Sequence, residues 1–295
     1  MKTKISTEIG TLKRFVGEER AVELYAKAGF DAWDFSMFDM GRYNDVTGGM
    51  IRSDHPLQSN NYAAFANKLR KIGEDNGIRC NQTHAPFPTA CVEIRGMLKR
   101  AIECTAIVGA DTCVIHPCHD YNAEQNAEMF FEILPFAKEC GIKIAVENVW
   151  EWDKERDEAT STACSHHNDF LAHIRAVNDP NLIACLDIGH AEMRGLGTSA
   201  EDMILTLGDY LQALHIHDND KWRDWHEMPY TMNIDFDLFL RSLKKINYRG
   251  YLTMEVDSFR HPDDPDNITN GIKTLYTTAR KLADAYDAMW DNDNE

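Results

Sequence analysis

Residues 182–190 read LIACLDIGH: a run of apolar and small residues that ends on Asp187 and continues into a glycine and a histidine. A short apolar run bounded by turn residues is the pattern of a strand buried on both faces. Its acidic end places a metal-type ligand at the strand's C-terminus. Five other stretches repeat the arrangement. RCNQTHAP at 79–86 ends on His84, DTCVIHP at 111–117 on His116, IKIAVEN at 142–148 on Glu147, LQALHIHD at 211–218 on His215 and LTMEVD at 252–257 on Glu255. Strands that each deliver a ligand at the same end describe a site at the C-terminal mouth of a parallel barrel, where barrel enzymes carry their chemistry.

Further strands are expected at 4–9 and from Asp31 onward. Between the strands lie helical patterns. EERAVELYAKAGF at 18–30 puts Val22, Leu24, Tyr25 and Ala28 on one face and should stop near Gly29. Other helices are expected around 62–76, 92–109, 123–140, 170–177, 200–207, 236–246 and 271–289. Two connections, 148–167 and 218–233, are too long for ordinary links and read as functional loops or lids. Eight strands alternating with helices in 295 residues predict an α/β fold, a single-domain (β/α)8 TIM barrel over 1–295, with an acidic tail frayed from about 290. An open doubly wound sheet is the alternative. Its nucleotide fingerprint is missing, because GLGTSA from Gly195 follows a polar loop rather than a strand. Strand parity favours the barrel. Gln82, Val114, Ala145, Cys185, Ala213 and Thr253 should share the interior with the ligands, whereas Ile115, Val146, Leu186 and Met254 should face the helices.

The net charge is −17, from 48 acidic against 31 basic residues, which argues against a nucleic-acid or anionic-membrane partner. No run of about 18 apolar residues offers a membrane span, and MKTKISTEIGTLKRF lacks the apolar core of a secretory signal. The eight cysteines include no CxxC pair. Buried reduced thiols in a cytoplasmic protein are the expectation. Cys113 and Cys118 flank His116, but parity turns Cys113 away from it.

Two glutamates, an aspartate and several histidines converging on one point would repel or lose charge without a cation. Mixed imidazole and carboxylate donors suit manganese, cobalt, zinc and related ions, and the carboxylates also admit magnesium. The core set is Glu147, Asp187, Glu255 and one of His215 and His217, which share a strand face. His84, His116, His190, Asp224 and His226 are candidates for further metal sites or for holding substrate hydroxyls. Phe87, Trp150, Trp152, Trp222 and Trp225 are candidates for stacking on sugar faces or for loop packing. Lys221, Arg223 and Arg260 are the cations of the late loops.

The ordered strand-end ligands, the DIGH step, the HIHD strand and the TMEVD strand resemble the xylose-isomerase-like barrels of the sugar phosphate isomerase/epimerase family, over about 4–286. D-tagatose 3-epimerase-like enzymes, hydroxypyruvate isomerases, inosose isomerases and dehydratases, and endonuclease IV share this superfamily. The resemblance implies one divalent metal on Glu147, Asp187, His215 and Glu255, which favours His215 over His217. It implies a keto-sugar isomerase or epimerase acting through a metal-stabilised enediolate, with Glu147 and Glu255 as the acid/base pair. His84, His116, His190, Trp150 and Arg223 would then contact the carbohydrate substrate. A lyase or dehydratase of a keto-sugar or cyclitol needs the same intermediate.

The endonuclease IV-like branch carries a three-metal cluster, and this chain has a residue for each ligand. His84, His116 and Glu147 would form one site, Glu147, Asp187, His215 and Glu255 a second, and His190, Asp224 and His226 a third. The acidic composition weighs against that branch. A non-catalytic sugar-binding barrel would not need so many convergent carboxylates. No glycine-rich phosphate loop stands out, so an unphosphorylated sugar is the expected substrate.

Overall fold

The computed structural model describes residues 2–257 and 265–291. Arg260 and the end of the acidic tail lie outside the described residues. Eight strands form one sheet: β1 Ile5–Glu8, β2 Ala32–Ser36, β3 Arg79–His84, β4 Thr112–Ile115, β5 Lys143–Glu147, β6 Leu182–Asp187, β7 Leu211–His215 and β8 Leu252–Met254. All neighbours pair in parallel, in the order β7-β6-β5-β4-β3-β2-β1-β8. The ring closes through a parallel bridge between Ile216 and Met254. There Ile216 N–H donates to Thr253 O at 2.9 Å and Glu255 N–H to Ile216 O at 3.0 Å.

Helices wrap the sheet: α1 Glu18–Ala28, α2 Tyr62–Asp75, α3 Leu98–Val108, α4 Ala123–Glu139, α5 His167–Val177, α6 Ala200–Leu207, α7 Phe236–Lys245 and α8 Pro265–Asp291. Helix α1 stops at Gly29, whose φ of 104° is a left-handed conformation that a side chain would strain. Helix α4 starts at a capping box in which Asn122 and Gln125 satisfy each other's backbone N–H groups. The single helix expected at 92–109 is two, Val92–Arg95 and Leu98–Val108, separated at Gly96.

The strands have two faces and the core divides accordingly. Val114, Ala145, Ile183, Cys185 and Ala213 form a small cluster inside the barrel. Ile115, Val146, Leu186 and Met254 belong to the large layer between strands and helices, as their alternating positions require. Cys113 joins that outer layer, away from His116, and all eight cysteines are free thiols. The long connections carry local structure. Residues 151–160 form a β-hairpin, and another occupies 43–50. The connection after β7 is tied down by Asp218, whose carboxylate accepts the N–H groups of Asn219, Thr231, Met232 and Ile234. No described helix is long and apolar enough to cross a membrane.

Candidate metal centre and active site

The strand ends converge on a cavity of about 340 Å³ at the C-terminal mouth. Among the described residues five carboxylates line it, Glu8, Glu147, Asp224, Glu255 and Asp257, together with a single Lys or Arg side chain, Arg14. Such an excess of acid around one cavity calls for a cation.

Glu147, Asp187, His215 and Glu255 bring one donor atom each to within 4.8 Å of one another. His215 Nδ1 lies 2.5 Å from Glu147 Oε1 and 3.3 Å from Glu255 Oε2. The second oxygen of Glu147 turns the other way, 2.9 Å from His84 Nε2 and 3.0 Å from His116 Nε2. Glu147 is therefore central to two donor groups. His84 is oriented by Nδ1, which donates to Ala85 O at 2.8 Å.

A further group lies beside Asp187. His190 Nε2 and His226 Nε2 are each 3.2 Å from Asp224 Oδ2. Their Nδ1 atoms donate to main-chain carbonyls, His190 to Asn148 O at 2.9 Å and His226 to Glu255 O at 3.0 Å. Those bonds orient both rings with Nε2 toward Asp224, an arrangement common around metals. His217 completes the group. Its Nε2 stands between the two sets of donors, 3.0 Å from Asp187 Oδ1 and 3.6 Å from Asp224 Oδ1, and its ring stacks on His226 at 3.8 Å. His215 and His217 thus face different acids, although strand parity alone left them equivalent.

The electrostatics are those of imidazoles carrying charge that a cation would otherwise supply. Burial would push Glu147 up, yet His215 and His84 hold it well below the ordinary carboxylate range. Asp187 is drawn to about 2, against burial, by His190 and His217. Burial opposes protonation of His190, but Asp187 and Asp224 raise it to about 10. His116 goes the other way, to about 4, chiefly through burial. Buried polar atoms without a hydrogen-bond partner among the described residues also cluster here: Asp34 Oδ1, His217 Nδ1 and Asp224 Oδ1. Acidic and imidazole donors, several held by their far side and some unsatisfied, fit a divalent ion.

The aromatic residues divide. Phe87 and Trp150 line the cavity, and Phe87 stacks on His116 at 4.4 Å. Trp152 lies under Arg223, 4.0 Å from its ring centroid, and Trp222 under Arg194. Trp225 donates to Asp220. Arg223 also pairs with Asp157 at 3.0 Å and Lys221 with Glu192 at 2.7 Å, and neither lines the cavity. Arg223 is thus absent from the wall where substrate contact was expected.

Sequence reading passed over Glu8, Asp34 and Asp257. Glu8 ends β1 in the same manner as the other ligands end their strands. It accepts the N–H groups of Gly10 and Thr11 and the hydroxyl of Ser36, and burial together with Glu255 pushes it up to about 7. Its signal was the carboxylate closing ISTE, which the polar Ser6 and Thr7 obscured. Asp34 was visible as a charge inside the strand AWDFS.

An eight-stranded parallel barrel with imidazoles and carboxylates gathered at its C-terminal mouth belongs to the class of barrels built around a candidate metal centre. The chain matches the family described as xylose isomerase-like TIM barrel over residues 22–278, and it belongs to that family. An uncharacterised protein of Methanocaldococcus jannaschii is 29% identical over 260 residues, covering 81% of this chain and 79% of the relative. The ketose 3-epimerase of Arthrobacter globiformis is 22% identical over 240 residues, covering 81% and 77%. Among solved structures, an L-ribulose 3-epimerase superposes with a TM-score of 0.70 at 16% identity, covering 99% of this chain and 98% of the other.

Proposed function

We propose that this chain is a divalent-metal-dependent isomerase or epimerase of a keto-sugar or related small carbohydrate. The observation that supports the reading is the approach of two carboxylates from different strands to one imidazole. Glu147 from β5 and Glu255 after β8 lie 2.5 and 3.3 Å from His215 Nδ1, and both line the cavity. Epimerase names among the relatives support the same class. Glu147, Asp187, His215 and Glu255 would hold the metal, with manganese, cobalt, magnesium and zinc all compatible with the donors. When bound, such an ion supplies Lewis-acid polarisation of the ketose carbonyl and its neighbouring hydroxyl.

The chain's own residues do the rest. One of Glu147 and Glu255 takes the proton from the carbon beside the carbonyl. The other returns a proton from the opposite face, which inverts the centre, or delivers it to the adjacent carbon, which isomerises the sugar. His190, fixed through Asn148 O, would contact a substrate hydroxyl, as would His84 and His116, which line the same cavity. Trp150, Phe38 and Phe87 offer flat apolar faces to the sugar and exclude water. A lyase or dehydratase of a keto-sugar would use the same proton abstraction and then expel a hydroxyl. Eight free cysteines suit a reducing compartment, the cytoplasm.

The group His190, His217, Asp224 and His226 favours a second reading, in which further ions bind and the site works as a cluster, as in endonuclease IV-like nucleases. Among the described residues the cavity is lined by one Arg and no Lys against five carboxylates, a poor match to a phosphate backbone, so the sugar enzyme is preferred. Metal stoichiometry on the purified, metal-replete protein, with deuterium incorporation from solvent into a panel of ketoses, tests the proposal. Incorporation beside the carbonyl with at least one bound ion supports it. A protein that binds no metal, or that is inert across the panel while cleaving abasic duplex DNA, overturns it.

A further inference from the structure

We infer that Asp34 is a positioning residue for the metal centre, acting through His215. The inference rests on the metal-centre reading above. Asp34 lies inside the barrel on β2 and is completely buried. Its Oδ2 is 3.2 Å from His215 Nε2 and accepts a hydrogen bond from Gln82 Nε2 at 2.9 Å. Its other oxygen has no hydrogen-bond partner among the described residues.

A buried carboxylate facing an imidazole and an amide, with no Lys or Arg bonded to it among the described residues, makes a poor stabilising element. It makes a good orienting one. His215 has two nitrogens with different tasks. Nδ1 faces Glu147 and Glu255, and Nε2 faces Asp34. A carboxylate on Nε2 keeps the proton on that nitrogen and leaves the Nδ1 lone pair for the metal. It also fixes the ring plane and raises the basicity of the donor atom.

Asp34 is itself held from below. Gln82 reaches Thr253 Oγ1 at 3.4 Å, Asn81 reaches the same hydroxyl at 3.3 Å, and Ser6 Oγ donates to Asn81 Oδ1 at 2.5 Å. This polar column runs along the barrel interior from β1, β3 and β8 to the carboxylate on β2, so the orientation of His215 is set by four strands besides its own.

The test is metal affinity, measured by chelator competition on Asp34→Asn and Asp34→Leu beside the wild type. Loss of an orienting carboxylate costs roughly 10- to 100-fold in affinity. Asparagine keeps a neutral acceptor and should fall near the lower end, leucine near the upper. In the zinc-loaded wild type, 15N-edited NMR should show a His215 Nε2–H in a strong hydrogen bond, and Asp34→Asn should shift it upfield. A purely structural role would lower the melting temperature of the metal-free protein and leave affinity and the Nε2–H signal unmoved. Affinity within about 2-fold of wild type in a folded Asp34→Asn overturns the inference. Absence of metal binding by the wild type overturns the metal-centre reading, and the inference with it, a result separable from the first.

Discussion

Gly189 sits directly against the ring of His217: a Cβ built on that glycine would fall 1.9 Å from His217 Cε1. The glycine of the DIGH step is thus required by close approach, in the short turn Ile188–Ala191 that Asp187 caps through the N–H of His190. Gly189→Ala must displace His217. It should cost about 1–3 kcal/mol as overpacking does. It should also weaken any ion held by His190, His217, Asp224 and His226 more than one held by Glu147, His215 and Glu255. Denaturant melts together with metal titration of the variant check both parts.

Glu147→Gln and Glu255→Gln should each reduce solvent deuterium exchange into the substrate by roughly 100- to 10,000-fold, the usual contribution of a positioned acid or base. Both residues also belong to the donor set, so metal content is measured in parallel. Near-normal exchange in either variant removes that residue from proton transfer.

Metal affinity should rise steeply with pH. His190 is held at about 10 by Asp187 and Asp224 despite its burial, and His226 lies well above the usual imidazole range, burial opposing and Asp224 prevailing. An ion entering that group must displace those protons, so binding releases acid and strengthens as pH rises toward 10. Calorimetry in buffers of different ionisation enthalpy counts the protons released. An affinity flat between pH 6 and 8, windows on the order of those used for histidine titration, would contradict the imidazole assignment.

Glu8 predicts a pH dependence of the opposite kind in the metal-free protein. Its carboxyl rises from an ordinary 4.5 to about 7 on folding. The folded state then holds a proton that the unfolded chain releases. The associated stability is fully present below 4.5 and is lost as pH rises through 7. The difference amounts to about 3 kcal/mol at 1.36 kcal/mol per unit. Urea melts from acid to alkaline pH should show this slope in the wild type and a flatter one in Glu8→Gln.

Trp150 and Arg223 should behave differently. Trp150 lines the cavity, whereas Arg223 is committed to Trp152 and Asp157. Trp150→Ala should raise KM several-fold and Arg223→Ala should leave KM within about 2-fold, because an exposed pair of this kind contributes little. Steady-state kinetics on the best ketose of the panel distinguish them.

The barrel, and the gathering of the candidate site at the C-terminal ends of its strands, were legible in the amino-acid sequence. Apolar runs closing on Glu147, Asp187 and His84, with alternating inward and outward residues such as Cys185 and Leu186, are local features with a period of two, and they survive in one dimension. Asp34 and Glu8 were written in the same pattern and missed, since a strand with interior polar residues looks like an edge until the barrel encloses it. Tertiary structure alone decided the rest. It parted His215 from His217, turned Arg223 onto Trp152, brought His217 into the Asp224 group and placed Asp34 behind His215. Each of these depends on how a strand from one part of the chain, or a loop between strands, meets a side chain distant in sequence. Strand period determines which face a residue takes, and only closure of the barrel determines what it meets there.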